Sequence, residues 1–348
     1  MAKHVSKIED GFALKRQRVR SECRRMPTQA IRSALFLTIL LPIVAGAQKL
    51  PSNDYHQHLL SPAVASLIGE PRTFLARDLI AQMDAIGIRR AVVLSLAYQF
   101  GNPNRPRVKD EYTLVKAEND WTASQVKQYR DRLLGFCGVD PLRDYALSEI
   151  ERCSHNPYLK FGLKLHFGNS DVDLDNPQHV EKLRQAFHAA DSHHMAIVVH
   201  MHANVNHHRP YGRKEAEIFL TQVLPSAPHS TIQIAHLAGS GGYDDPATDA
   251  ALTVFLQAIS YHDKRVTHVY FDISGVAGIG AWESKKEQIA SRIRQVGVHR
   301  ILFGSDGAWS GFTPAKAVAA FDVLPLTDQE FRIIRANTPS YMTSFAAR

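Results

Sequence analysis

From residue 53 onward, short apolar runs alternate with longer stretches in which apolar residues recur every three or four positions. Runs such as AVVLSLA (91–97), AIVVH (196–200) and RILFG (300–304) carry little polar alternation, the pattern of strands buried on both faces. Eight such runs, at 53–58, 91–97, 134–139, 162–167, 197–202, 232–237, 269–274 and 300–305, read as strands. Amphipathic stretches at 76–86, 114–129, 145–153, 180–192, 214–224, 247–259, 285–296 and 314–321 read as helices, one after each strand. This strict alternation predicts an α/β fold of the (β/α)8 TIM-barrel type. An open doubly wound sheet is the competing arrangement, but it usually carries a glycine-rich phosphate turn after its first strand. Here the first strand ends in His-Gln-His. No internal repeat, low-complexity tract or linker breaks residues 48–348, which read as a single domain.

The chain before this pattern is different in kind. Residues 1–47 hold nine basic and three acidic side chains, then the uncharged run SALFLTILLPIVAGAQ (33–48). At 16 residues that run is short of the roughly 20 that span a bilayer as a helix. It passes through Ala45-Gly46-Ala47, a small-x-small pattern suited to signal peptidase. The segment is therefore expected to be an N-terminal extension plus signal peptide, with Met26 as a candidate true start and cleavage after Ala47. Such a protein is exported, to the periplasm or beyond, and has no stable membrane span once cleaved.

That reading changes the meaning of the charge. The whole chain carries 41 Lys and Arg against 34 Asp and Glu, a net of +7 that invites a nucleic-acid partner. Cleavage after Ala47 leaves 32 basic and 31 acidic residues, and with them no reason to expect nucleic acid. Of the 18 histidines, only His4 is lost. Cys137 and Cys153 also remain, open between a disulfide and two buried thiols.

In a barrel of this type, chemistry is built at the C-terminal ends of the strands. Strand one ends in Asp54-Tyr55-His56-Gln57-His58, where His56 and His58 at i and i+2 share one face. Strand four carries Lys164 in GLKLH, strand five ends in His200-Met201-His202, strand six in His236 and strand eight in Gly304-Ser305-Asp306. Each piece alone has an ordinary structural explanation. Together, histidine and carboxylate at several strand ends of one barrel suit a borderline divalent ion such as Zn2+.

The residues Asp54-Tyr55-His56-Gln57-His58, Val198-Val199-His200, Ala235-His236-Leu237-Ala238-Gly239 and Leu302-Phe303-Gly304-Ser305-Asp306 resemble the amidohydrolase superfamily. The resemblance is to its amidohydrolase-related, metal-dependent branch and runs over residues 52–345. It implies that His56, His58, His200 and Asp306 ligate one or two divalent ions, and that His236 is a further ligand or a proton-transfer residue. Lys164 matches a position where some members carry a carboxylated, metal-bridging lysine. His202 competes with His200 as a ligand or lies near the substrate, and Arg209 and Arg213 are candidates to bind an anionic substrate group.

The expected activity is hydrolysis of an amide, ester or lactone of a small molecule by metal-activated water, with Asp306 shuttling the proton and the metal or His236 polarising the carbonyl. Non-oxidative decarboxylation of an aromatic or unsaturated acid is the alternative enzymatic reading, and a non-catalytic periplasmic metal-binding protein is the third. Carriage of both Asp306 and His236 favours catalysis, because storage needs ligands but no proton carrier. No Gly-x-Ser-x-Gly is present for a serine nucleophile, and Gly239-Ser240-Gly241-Gly242 is not followed by Gly-Lys-[Ser/Thr]. A homo-oligomer is compatible with the sequence.

Overall fold

The structure, a computed structural model, describes residues 51–346. Eight parallel strands stand side by side in chain order: β1 (Asn53–Gln57), β2 (Arg90–Leu94), β3 (Leu133–Gly138), β4 (Gly162–His166), β5 (Ala196–His200), β6 (Ile232–Ile234), β7 (Val269–Asp272) and β8 (Ile301–Leu302). The last strand meets the first through Tyr55 N–H to Phe303 O at 2.9 Å and Asp306 N–H to His56 O at 2.7 Å. The molecule is a (β/α)8 barrel, as the alternation predicts. The leader expected at residues 1–47, with its candidate start at Met26, lies outside the described residues. Among the described residues, no helix is long and apolar enough to cross a membrane.

Helices α1 (Pro62–Ile68), α2 (Ala76–Asp84), α3 (Glu111–Gln128), α4 (Ala146–Ser154), α5 (Pro177–Ser192), α6 (Arg213–Ile218), α7 (Pro246–Ser260), α8 (Lys286–Val296), α9 (Pro314–Asp322), α10 (Asp328–Ala336) and α11 (Ser340–Ala346) connect and cover the strands. Four of them open on a polar residue followed by proline: Ser61-Pro62, Asn176-Pro177, Asp245-Pro246 and Thr313-Pro314. In each, the polar side chain accepts a first-turn N–H while proline presets the helical φ. The expected helices correspond to α2 to α9, and α6 continues through a π turn (Phe219–Val223). Helices α1, α10 and α11 go beyond that expectation.

Several strands are shorter than their apolar runs. β6 stops at Ile234 and β5 at His200, and β8 pairs over Ile301–Leu302 alone. The residues beyond remain buried, which is why hydrophobicity does not mark the ends.

Apolar packing divides in two. One cluster lies between strands and helices; the other fills the barrel with Val92, Leu94, Leu134, Phe136, Val198 and Leu302. α11 closes the N-terminal end: Tyr341 and Met342 enter the inner cluster, and Phe345 meets Phe161 just before β4. Cys137 on β3 and Cys153 on α4 form a disulfide, resolving the alternative that the sequence leaves open.

Candidate active site

The ends of β1 and β8 bring His56, His58 and Asp306 together, with one ligand atom from each within 4.8 Å of the others. His56 Nδ1 faces Asp272 Oδ2 at 2.9 Å, and His58 Nδ1 faces the Leu94 carbonyl at 2.7 Å. Both partners are acceptors, so the Nδ1 atoms carry the protons and the Nε2 lone pairs face the site, that of His56 within 3.2 Å of Lys164 Nζ. Those lone pairs stand 3.8 and 3.6 Å from Asp306 Oδ1. Acceptors facing acceptors across such gaps call for positive charge, which Lys164 supplies on the His56 side, and the two imidazoles and the carboxylate make a donor set that fits a divalent ion.

Asp306 is held in a left-handed conformation, φ 65°. Asp54, fully buried, provides the clamp. Its Oδ1 accepts from Ser305 N at 3.1 Å and His56 N at 3.2 Å, and its Oδ2 accepts from Gln57 Nε2 at 3.1 Å and from the Ser305 hydroxyl. Gly304 lets the two strand ends approach, since a Cβ there would lie 2.8 Å from that of His56.

On β7, Asp272 is the hub. Its Oδ2 accepts from Gln233 Nε2 at 2.7 Å and from His56; its Oδ1 accepts from His236 N at 3.0 Å and Ser274 N at 3.1 Å. After β6 the chain turns through three left-handed residues, His236 (φ 55°), Leu237 (φ 49°) and Ala238 (φ 67°). Such a turn costs roughly 1–2 kcal/mol per non-glycine residue. The Asp272 carboxylate at its start and a hydrogen bond from the Tyr211 hydroxyl to Ala238 O hold it in place. His236 Nδ1 lies 2.6 Å from Ser274 O, so its Nε2 is left for the site. Its ring stands 4.9 Å from those of both His56 and His200, centroid to centroid.

The β4–β5 register pairs Lys164 with Val198 and His166 with His200. The imidazoles of His166 and His200 consequently stack at 3.8 Å, and Tyr98 packs on His166 at 5.3 Å. Lys164 Nζ lies 3.2 Å from His56 Nε2. His200 adjoins the ligand cluster through His236 rather than belonging to its tightest group.

His202 departs from the expectation that it competes with His200 as a ligand, because β5 ends at His200 and His202 lies beyond it. Its Nε2 pairs with Asp245 Oδ2 at 2.9 Å and its Nδ1 meets Ala203 O at 3.1 Å, so neither nitrogen is free to ligate. Arg209 is engaged by Asp171 at 2.8 Å and Asp173 at 3.2 Å. Arg213 begins α6, with Gln257 and Glu217 as its partners on the helical shell. The structure therefore commits both arginines to neighbouring residues.

Electrostatics favour metal-ready side chains. Burial, reinforced by Lys164, lowers the His56 pKa, and burial with His56 and Lys164 pushes His58 down to about 3. His166 and His200 are held well below the usual imidazole range, chiefly by burial. Neutral imidazole is the form that ligates. Burial opposes ionisation of Asp306 and Asp272. For Asp306 it is outweighed by His56, His236, His58 and Lys164, and for Asp272 by the charges of His56 and His236 with hydrogen bonds from His56 and Ser274, so both stay below the usual carboxylate range. Burial brings Lys164 down to about 8.

A family model described as amidohydrolase matches residues 53–339. The chain belongs to the amidohydrolase family. No curated protein matches it in sequence. Among solved structures it is similar to a probable 2-pyrone-4,6-dicarboxylic acid hydrolase from Acinetobacter baumannii with citric acid bound. That pair shares 18% identity over 86% of this chain and 100% of the other, with a TM-score of 0.54. It is also similar to a 5-carboxyvanillate decarboxylase from Novosphingobium aromaticivorans complexed with manganese and a nitrobenzoic acid. Here the identity is 17% over 87% and 97% of the two chains, at TM-score 0.56. A Burkholderia multivorans amidohydrolase with bound zinc shares 12% identity over 82% and 96%, at TM-score 0.55. At these identities the likeness carries the fold.

Two residues of this amidohydrolase site escape the sequence reading. Asp272 ends the run VYFD on β7, a strand with no histidine to draw notice. His166 lies two residues after Lys164, so the i, i+2 rule that pairs His56 with His58 would have found it.

Proposed function

We propose that this amidohydrolase hydrolyses an amide, ester or lactone of a small molecule, with Asp306 as the proton carrier. The convergence of the His56 and His58 Nε2 lone pairs on the Asp306 carboxylate, with both Nδ1 protons tied off behind them, carries the reading. His56, His58 and Asp306 would hold a divalent ion, with His200 completing the set and zinc the best match to imidazole and carboxylate. When bound, such an ion supplies Lewis acidity that polarises a carbonyl and acidifies water near neutral pH. Asp306, about one-third exposed, takes the proton from the attacking water and returns it to the leaving group. His236, its ring locked by Ser274, presents Nε2 to the site and, in its protonated form, donates from it to the substrate carbonyl. Lys164 keeps a positive charge beside the ligands; in its neutral form it is open to carboxylation.

Decarboxylation of an aromatic acid is the second reading, favoured by the aromatic walls of the site. The His166–His200 stack, Tyr98 and Trp309, whose ring meets His58 edge-on at 5.9 Å, suit a flat ring. In that reaction Asp306 or His236 delivers a proton to carbon. Export to an oxidising compartment accompanies either reading, and the buried Cys137–Cys153 disulfide supports it.

The test is to strip the protein with a chelator, reload zinc or manganese, and assay lactones, esters, amides and aromatic acids for acid release and for carbon dioxide. Metal-restored acid release without carbon dioxide is the expected result. Carbon dioxide from an aromatic acid selects the second reading, and activity indifferent to chelation overturns both.

A further inference from the structure

A polar column runs up the inside of the barrel and ends at the candidate metal site. Below the site the inner layer is largely apolar, filled by Val92, Leu94, Leu134, Phe136 and Leu302. Within β6, Ile232 and Ile234 pack into the outer core while Gln233 turns inward, fully buried. A buried glutamine among valines and leucines is costly unless each polar atom is bonded.

Every polar atom of Gln233 is bonded, and in a definite order. The Tyr341 hydroxyl, carried in by α11, donates to Gln233 Oε1 at 2.9 Å. With its oxygen committed downward, the amide directs Nε2 upward, to Asp272 Oδ2 at 2.7 Å and the Tyr55 carbonyl at 3.1 Å. A flipped amide would set its oxygen against the Asp272 carboxylate and the Tyr55 carbonyl, acceptor on acceptor. Asp272 Oδ2, so placed, receives His56 Nδ1 at 2.9 Å.

We propose that Tyr341 and Gln233 are positioning residues for the metal site: the C-terminal helix orients Asp272 from beneath, and Asp272 sets the tautomer and ring plane of His56. The proposal rests on His56 being a metal ligand. Outer partners of ligating histidines typically carry a 10–100-fold effect on metal affinity. Tyr341 lies one partner further out, so about tenfold is expected.

The test uses the full chain, stripped with chelator and titrated with Zn2+ against a chromophoric competitor, with melting curves recorded with and without metal. Tyr341→Phe should weaken zinc binding about tenfold and shrink the metal-induced rise in Tm. Gln233→Met, similar in volume, should do at least as much, and it serves if Tyr341→Phe does not fold. Tyr55→Phe is the control. It also removes a buried hydroxyl, one that bonds Asn53 and Asn337 and does not touch Gln233. Its zinc affinity should stay within about twofold of the parent. Unchanged affinity in Tyr341→Phe and Gln233→Met, or equal weakening in Tyr55→Phe, overturns the proposal and leaves the metal reading standing. A parent protein that binds no zinc or manganese overturns the metal reading, and this proposal with it.

Discussion

The two halves of the site are built in opposite ways. Where β1, β7 and β8 meet, nearly every polar atom is committed. Asp54 binds Ser305, Gln57 and the His56 backbone, and Asp272 binds Gln233, His56, His236 and Ser274. Where β4 and β5 meet, contact is made by stacked rings, and the loop above is tied by surface pairs such as Arg209–Asp171. Hydrogen bonds are directional and fix ligand atoms; ring contacts are not, and accommodate a substrate. The first half is suited to holding an ion; the second lends His200 to that task and is otherwise suited to choosing what is brought to it.

The largest break should come from Asp306→Asn, which keeps the shape and removes the proposed proton acceptor. A fall in kcat on the order of 10²–10⁴-fold is expected. Full activity in this variant would remove Asp306 from the chemistry. Next is Asp54→Asn, which loosens Ser305 and the His56 backbone, and so Asp306, without altering a proposed ligand side chain. Metal affinity should fall about 10–100-fold, measured by chelator competition. Retention of parental affinity would mean the clamp is incidental.

His166→Phe keeps a ring in the other half. It should change KM by about tenfold while metal content stays at parental levels, the split expected of a substrate wall. Loss of metal from this variant would erase the distinction between the halves.

The smallest effect on function lies outside both, in a change to stability alone. Glu118, nearly fully buried, accepts a hydrogen bond from Ser61 at 2.5 Å, and burial raises its pKa from 4.5 to about 7. The native state therefore holds this proton more tightly than the unfolded chain. Stability falls as pH rises between those values, and the cost is fully present above about 7. Glu118→Gln should match the parent near pH 4 and exceed it at pH 8 by on the order of 3 kcal/mol at most, read from denaturant melts. An equal difference at both pH values would contradict this origin.

Much of the site was legible because its chemistry coincides with strand ends. His56 and His58 are two apart on a strand, and Asp306 follows an apolar run, so a barrel places them on one rim. Illegible were the roles that depend on partners distant in sequence. Asp272 is an ordinary strand-end aspartate until His56, 216 positions away, hydrogen-bonds to it. Arg209 is a plausible anion binder until Asp171 is found beside it.

By itself the sequence determined the alternation of strands and helices, hence the barrel, and the residues at its rim. It could do so because hydrophobic period and strand order are local properties that one parallel topology satisfies. Tertiary structure alone decided which nitrogens are free. His200, His202 and His236 look alike along the chain. The Asp245 carboxylate and Ala203 carbonyl occupy both nitrogens of His202, while Ser274 takes only Nδ1 of His236 and leaves Nε2 for the site. Hydrogen-bond partners assign proton positions, and those partners are set by packing between strands far apart in sequence.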